Sequence, residues 1–349
     1  MYKSKKLINI FVCTLLIVVF IISGCGKTET EATPEVESDG KIQIGLCFDS
    51  FIIERWEKDR DIFVSTARDL GAEVNVQNAN GEVDEQIKQI EYFINKGVNA
   101  IVIISIDGTA LQETVKKAQS KGIKVVAYDR MINKSGADLY ISFDNEMVGT
   151  LMGEALAAEL SDDNRKVLMM QGSPTDNNVN LVEKGFRSVM EKEGIEIVDS
   201  MYADGWKADL ASNYLYDNPD VLSDIGGIMC GNDNIASSVI RVLSEKRKAG
   251  KISLVGQDAD LEACQRIVEG TQSMTVYKPV EKEAEAAARG TVALIRGEEI
   301  ENLSTISDGK YDIPGVILNP IAVTKNNMDE IIVNTGFHME EEVYMNVKR

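Results

Sequence analysis

Residues 98–130 read "VNAIVIISIDGTALQETVKKAQSKGIKVVAYDR". The run holds an apolar strand, an amphipathic helix closed by a glycine, and a second apolar strand. A strand that is apolar along its whole length needs cover on both faces, and two such strands joined by a helix lie parallel. Toward the N-terminus the same unit repeats. "AEVNVQNA" is a strand, and in "GEVDEQIKQIEYFINKG" Val83, Ile87, Ile90 and Ile94 form one helical stripe. Ahead of it, "KIQIGLCF" is a strand and "ERWEKDRDIFVSTARDLG" a helix with Trp56, Phe63, Ala67 and Leu70 on one face. Right-handed crossovers turn this rhythm into a doubly wound α/β lobe.

Toward the C-terminus the rhythm restarts after "LYISFDN". The helix "EMVGTLMGEALAAELS" leads to the strand "KVLMMQG", and the alternation runs on to "KISLVGQD". That is a second lobe of the same design. "SMTVYKP" and "PVEKEAEAAARGTVALIRG" then add a strand and a helix, too much to ignore and too little for a third lobe. The economical path returns the chain to the first lobe and crosses again near "GVILNPIAV". The expected fold class is thus α/β, two doubly wound parallel-sheet lobes joined by a multi-strand hinge. The first lobe takes residues 41–143 plus about 277–315, and the second takes 144–276 plus about 316–349.

The N-terminal segment stands outside this body. Lys3, Lys5 and Lys6 precede the apolar run Ile10–Ile22, which is too short to favour a membrane-spanning helix. It ends in "ISGC", and small residues ahead of a cysteine resemble the lipobox of bacterial lipoproteins. The resemblance implies that residues 1–24 are a signal peptide and that Cys25 is lipidated. Two or more acyl chains there would hold the protein stably to a membrane from outside the cytoplasm. Residues 25–40, polar and acidic, read as a tether.

Composition narrows the chemistry. The formal charge is −19, and residues 1–24 carry three lysines and no acid, so the remainder is more acidic still. Such a body is not expected to bind nucleic acid. Cys47, Cys230 and Cys264 are odd in number and scattered, and read as small buried hydrophobes rather than a disulfide framework. The one histidine, His338, reads as an exposed tail residue. A His-based catalytic triad or a His-rich metal site would depend on it alone. No phosphate loop, dinucleotide fingerprint or EF-type calcium loop is present. No cofactor, no metal and no catalytic residue are expected. Paired carboxylates are plentiful, so composition alone leaves a glycosidase open.

In open α/β sheets ligands sit beyond the carboxyl ends of the strands. Polar residues gather at those ends: Asp49 and the following "ERW", Asp129-Arg130, "GSPTDNN", "GNDN" and "GQDAD". Two facing lobes would aim them all into one cleft. A free sugar asks for planar groups that engage neighbouring hydroxyls, for charges that strengthen those bonds, and for aromatic faces over its C–H patches. Asp129 and Arg130 supply the first two in adjacent residues. Trp56 and Trp206, the only tryptophans, lie in different lobes and are placed to close from opposite sides. Asp258, at the tip of "GQDAD", is favoured over Asp260. "DNEM" at 144–147 reads equally as a helix cap and as a ligand group.

The pieces "ERWEKDRDIFV", "YDRMIN", "YISFDN", "GSPTDNN", "DGW", "GQDAD", "TQSMTVYKP" and "GFH" recur in order over roughly residues 41–338. Together they resemble the D-xylose-binding proteins of bacterial ABC sugar importers, within the ribose/galactose-type periplasmic-binding family. The resemblance implies a type I periplasmic-binding-protein fold that closes around one pentose. It implies polar contacts from Arg55, Asp129, Arg130, Asn178, Asn232, Asp258 and Lys278, with Trp56 and Trp206 stacking on the ring. "CFDSFII" ahead of "ERW", and Gly231 ahead of Asn232, depart from the family's pattern. The implied partners are D-xylose or a related monosaccharide and the membrane subunits of an ABC permease. A membrane sensor kinase is the alternative partner, and a sugar-active enzyme a further alternative. The protein is expected to act as a monomer.

Overall fold

The structure is a computed structural model and describes residues 40–348. The expected signal peptide, the lipidated Cys25 and the tether, apart from Gly40, lie outside the described residues. The chain first lays down β1 (Ile42–Phe48), α1 (Arg55–Asp69), β2 (Ala72–Asn78), α2 (Val83–Lys96), β3 (Ala100–Ile103), α3 (Gln112–Ser120), β4 (Lys124–Tyr128) and β5 (Leu139–Phe143). It continues with α4 (Asn145–Glu159), β6 (Lys166–Gln171), α5 (Asn177–Glu193), β7 (Glu196–Tyr202), α6 (Asp209–Asp217), β8 (Gly227–Cys230), α7 (Asp233–Glu245), β9 (Ser253–Gln257), α8 (Leu261–Glu269) and β10 (Met274–Tyr277). Then follow α9 (Val280–Arg296), β11 (Ser304–Ser307), β12 (Asp312–Leu318), β13 (Ile321–Val323) and the short α10 (Glu340–Val343).

Among the described residues these strands form two sheets. One is seven-stranded, in the order β11-β12-β5-β4-β3-β1-β2, and the other six-stranded, in the order β13-β10-β9-β8-β6-β7. The central strands β3, β4, β6, β8, β9 and β10 are buried on both faces almost throughout, as their apolar runs require. Pairing is parallel except at one edge of each sheet, where β11 runs antiparallel to β12 and β13 antiparallel to β10. These edges differ from the purely parallel sheets that alternation alone predicts. Both are made by the returning chain, which enters as a hairpin or directly from the crossing, with no helix to reverse it.

Three crossings join the lobes: between Phe143 and Asn145, between Tyr277 and Val280, and between Leu318 and Ile321. The last lies within "GVILNPIAV", where β12 stays paired with β5 through Leu318 opposite Phe143. Its carbonyl accepts a hydrogen bond from the Asp144 amide at 2.9 Å, which ties two crossings side by side. Cys47, Cys230 and Cys264 are all buried and free. No helix among the described residues is long and apolar enough to cross a membrane.

Candidate functional site

The carboxyl ends of the strands from both sheets meet around a narrow cavity. Its lining includes Arg55, Trp56, Asp129, Arg130, Asn178, Trp206, Asp258 and Lys278, all read from the sequence, together with Ile53, Asn145, Asp176 and Gln257.

Three of these side chains are aimed by unusual backbone. Asp129 directly follows β4 with φ 59°, Asp258 directly follows β9 with φ 99°, and Trp206 closes the turn after β7 with φ 59°. Left-handed backbone disfavours residues with a Cβ and survives where surrounding contacts over-determine it. At Asp129 those contacts are visible. Its amide donates to Ile141 O at 2.7 Å, and its carbonyl accepts from Tyr140 Oη, Ser142 Oγ and Asn178 Nδ2 at 3.1, 2.7 and 3.2 Å. Beneath Trp206 lies Gly172, where a Cβ would stand 2.2 Å from Cη2 of the indole. Gly231 in turn abuts Gly172, and a Cβ there would stand 2.5 Å from the Gly172 amide nitrogen. The glycine that departs from the family's pattern is thus what lets these strand ends approach behind the ring.

Charge is arranged around two guanidinium groups. Arg55 donates to Asp59, to Asp129 (3.0 Å) and to Glu283. Arg130 pairs with Asp49 at 2.8 Å and with Asp176 at 2.7 Å, so it joins the first lobe to the cap of α5 in the second. Its guanidinium carbon lies 5.7 Å from the Trp56 ring centroid and 5.8 Å from that of Trp206. The two tryptophans therefore flank Arg130 from opposite lobes. Lys278 stands 2.8 Å from Asp258 Oδ1 at the second crossing.

Carboxylates outnumber cations here, and their protonation is correspondingly unequal. Burial pushes Asp49, Asp176 and Glu283 above the usual carboxyl range despite their arginine partners. Burial also acts on Asp129, but Arg55, Lys278 and Arg130 outweigh it and hold that carboxyl below its ordinary value. Asp129 is thus kept as a carboxylate, able to accept from more than one hydroxyl.

Five cavity-lining side chains carry buried polar atoms with no hydrogen-bond partner among the described residues: Trp56 Nε1, Trp206 Nε1, Asn178 Oδ1, Gln257 Oε1 and Asp258 Oδ1, the last held only by its ion pair with Lys278. Asn232 stands outside the lining. Its Oδ1 caps α7 by accepting from Ile235 N at 2.9 Å, and its amide nitrogen has no hydrogen-bond partner among the described residues. Of the two readings of "DNEM", Asp144 is the cap, accepting from Met147 N, while Asn145 reaches the cavity. Asp59 and Glu283 were missed by sequence reasoning although each left a signal. Asp59 lies three residues after Trp56 and four before Phe63, and Glu283 lies between Val280 and Ala287 on one stripe. An acid in the apolar stripe of a helix is buried and needs a cation. Among the described residues no group of three or more His, Cys, Asp or Glu side chains is placed to hold a metal.

His338 is not an exposed tail residue. It is buried, with 7% of its surface exposed, and its Nε2 lies 2.8 Å from the carbonyl of Ala259. Burial lowers its pKa from 6.5 to about 4 against the hydrogen bond to Ala259, with Lys58 adding to the effect and Glu342 opposing it. Between those values the unfolded chain binds a proton that the folded protein refuses, so stability falls as pH drops through that window. The loss is about 1.4 kcal/mol per pH unit, or about 3 kcal/mol in all. Denaturant unfolding at pH 7 and pH 4.5 should show His338→Gln losing less stability than wild type over that interval. An equal loss in both proteins would contradict the assignment.

Two lobes of parallel sheet closing on a small, charged and aromatic cavity define a two-lobed solute-binding protein. The chain belongs to the periplasmic binding protein family, whose domain model matches residues 44–299. It is 42% identical over 311 residues to the D-xylose-binding periplasmic protein of Haemophilus influenzae, covering 87% of this chain and 92% of that one. It has the same identity over 311 residues to the D-xylose-binding periplasmic protein of Escherichia coli, with 87% and 93% covered. Among solved structures, an ABC transporter solute-binding protein from Clostridium phytofermentans with bound β-D-glucose superposes with a TM-score of 0.79. That protein is 26% identical, with 86% of this chain and 99% of the other covered.

Proposed function

We propose that this protein captures a single monosaccharide, D-xylose in first place, between its lobes and delivers it to the membrane subunits of an ABC permease. One observation carries the reading. The cavity is lined by two unpartnered indole N–H donors and two unpartnered amide oxygens beside an ionised Asp129. Buried polar groups need partners. An anion or a cation would satisfy only donors or only acceptors, whereas a polyhydroxyl compound offers both from every hydroxyl. The relatives named for D-xylose support the choice of sugar. A lipid on Cys25 would keep the protein at the outer face of the cytoplasmic membrane, and mass spectrometry of the membrane-associated protein tests that anchor.

Binding shifts the lobes toward the closed state because only that state places Arg130 and Asn178 on both sides of the cleft at once. A ligand that binds only the folded protein adds about 2.7 kcal/mol of stability at a hundredfold excess over its dissociation constant. Melting curves of the full-length protein should therefore rise most with D-xylose and less with L-arabinose, D-ribose or D-glucose. A larger rise with another sugar would replace D-xylose as the ligand, and no rise with any sugar would overturn the reading.

A further inference from the structure

The segment Phe337–His338 lies far along the chain from every cavity-lining residue, yet it touches the backbone that holds one of them. Asp258 and Ala259 are two successive residues in left-handed backbone, at φ 99° and 54°. Such a pair is costly and persists only where contacts impose it. The Asp258 amide donates to Val276 O at 2.8 Å and the Ala259 amide to Thr275 Oγ1 at 3.1 Å. The Ala259 carbonyl is met by His338 Nε2 at 2.8 Å and more weakly by Cys264 Sγ at 3.6 Å. A carbonyl oxygen only accepts, so His338 carries its proton on Nε2. The next ring, Phe337, packs 4.6 Å from His338 and 4.7 Å from Tyr277, the residue before Lys278. Its carbonyl accepts from Lys58 Nζ of α1 at 2.7 Å, and that ammonium lies 3.8 Å from its ring. The segment thus touches the Asp258 turn, the second crossing and the first lobe.

We propose that His338 is a positioning residue for ligand binding. Its hydrogen bond to Ala259 holds the Asp258–Ala259 turn in the conformation that points Asp258 into the cavity against Lys278. Phe337, by gripping Lys58 across the cleft, couples that turn to closure of the lobes. The inference rests on the reading of the cavity as a sugar site, but the turn-holding role has a readout that needs no sugar.

His338→Phe keeps the ring and removes the donor, and His338→Gln returns an N–H donor. In the full-length protein without ligand, amide hydrogen exchange at Asp258, Ala259 and Asp260 should quicken about tenfold in His338→Phe. It should stay within about threefold of wild type in His338→Gln, with the interior of β9 unchanged in both. D-xylose affinity should fall about tenfold in His338→Phe, mainly through faster release, and recover in His338→Gln. Unchanged exchange in His338→Phe would overturn the proposal whatever the sugar does. Faster exchange with wild-type affinity would overturn the link to binding. Should wild type bind no sugar, the reading of the cavity fails while the exchange rates still decide the role of His338. If His338→Phe does not fold, Lys58→Met decides. It should weaken D-xylose about threefold with exchange at 258–260 unaltered, and faster exchange there would overturn the assignment of the turn to His338.

Discussion

Replacing Arg130 with Met should cost about 3–5 kcal/mol of stability at pH 7 and weaken D-xylose binding more than a hundredfold. Met keeps much of the length and volume, so the loss is one of charge. Arg130 pairs with Asp49 and Asp176, all three of them buried. Removing one member of a buried ion pair leaves an uncompensated charge, which is where the cost arises. Here two carboxylates lose their partner together. Burial already raises both carboxyls above their ordinary range, and the arginine is what opposes that rise. Without it both take up protons more readily. The variant's stability deficit relative to wild type should accordingly shrink as pH falls through their raised values. Affinity suffers for a separate reason, because Asp176 caps α5 in the second lobe while Arg130 and Asp49 belong to the first. Denaturant unfolding at pH 7 and pH 5 measures the first effect and sugar titration the second. A stability loss under about 1 kcal/mol would show that the bridge matters little.

Asp129→Asn should separate binding from stability. The carboxylate is held ionised by Arg55, Lys278 and Arg130 against the pull of burial, and it meets Asn178 Nδ2 across the cleft at 2.9 Å. An amide accepts with one oxygen and no charge. A hydrogen bond to a charged group contributes about 1.5–3 kcal/mol, so affinity should fall about tenfold to a hundredfold. Arg55 keeps Asp59 and Glu283 as partners, and global stability should change by under about 1 kcal/mol. Affinity within twofold of wild type would remove Asp129 from the site.

The fold was legible because buried parallel strands and their crossover helices leave different periods in the chain, and both are local. The antiparallel edges were not, since direction at β11 and β13 depends on where the returning chain finds a free edge. The same distinction divides the site. Asp129, Arg130, Asp258 and Trp206 were readable because they stand at strand ends or loop tips, and Trp56 because it sits in the first turn of α1. Asp49 and Asp176 were visible as strand-end polar residues, but their shared dependence on Arg130 is a pairing across the cleft. Asn232 occupies the same kind of position and spends its oxygen on a helix cap, which sequence position alone cannot distinguish from ligand binding. His338 was misread because burial near a chain terminus comes from packing against distant segments, here Ala259 and Phe337.

The strain at Asp129, Trp206 and Asp258 had no sequence signal beyond residue type, yet it unites the site. Two strand ends and one turn each hold strained backbone to turn a side chain inward. Backbone contacts within each lobe thus fix that lobe's share of the site, which lowers the ordering cost of binding.

The most direct measurement is calorimetric titration of the full-length protein with D-xylose. The expected result is tight binding of one sugar per chain, with no consumption of the sugar over the experiment. Failure of D-xylose to bind, binding at more than one site, or turnover of the sugar would contradict a cleft that closes on one monosaccharide and releases it unchanged.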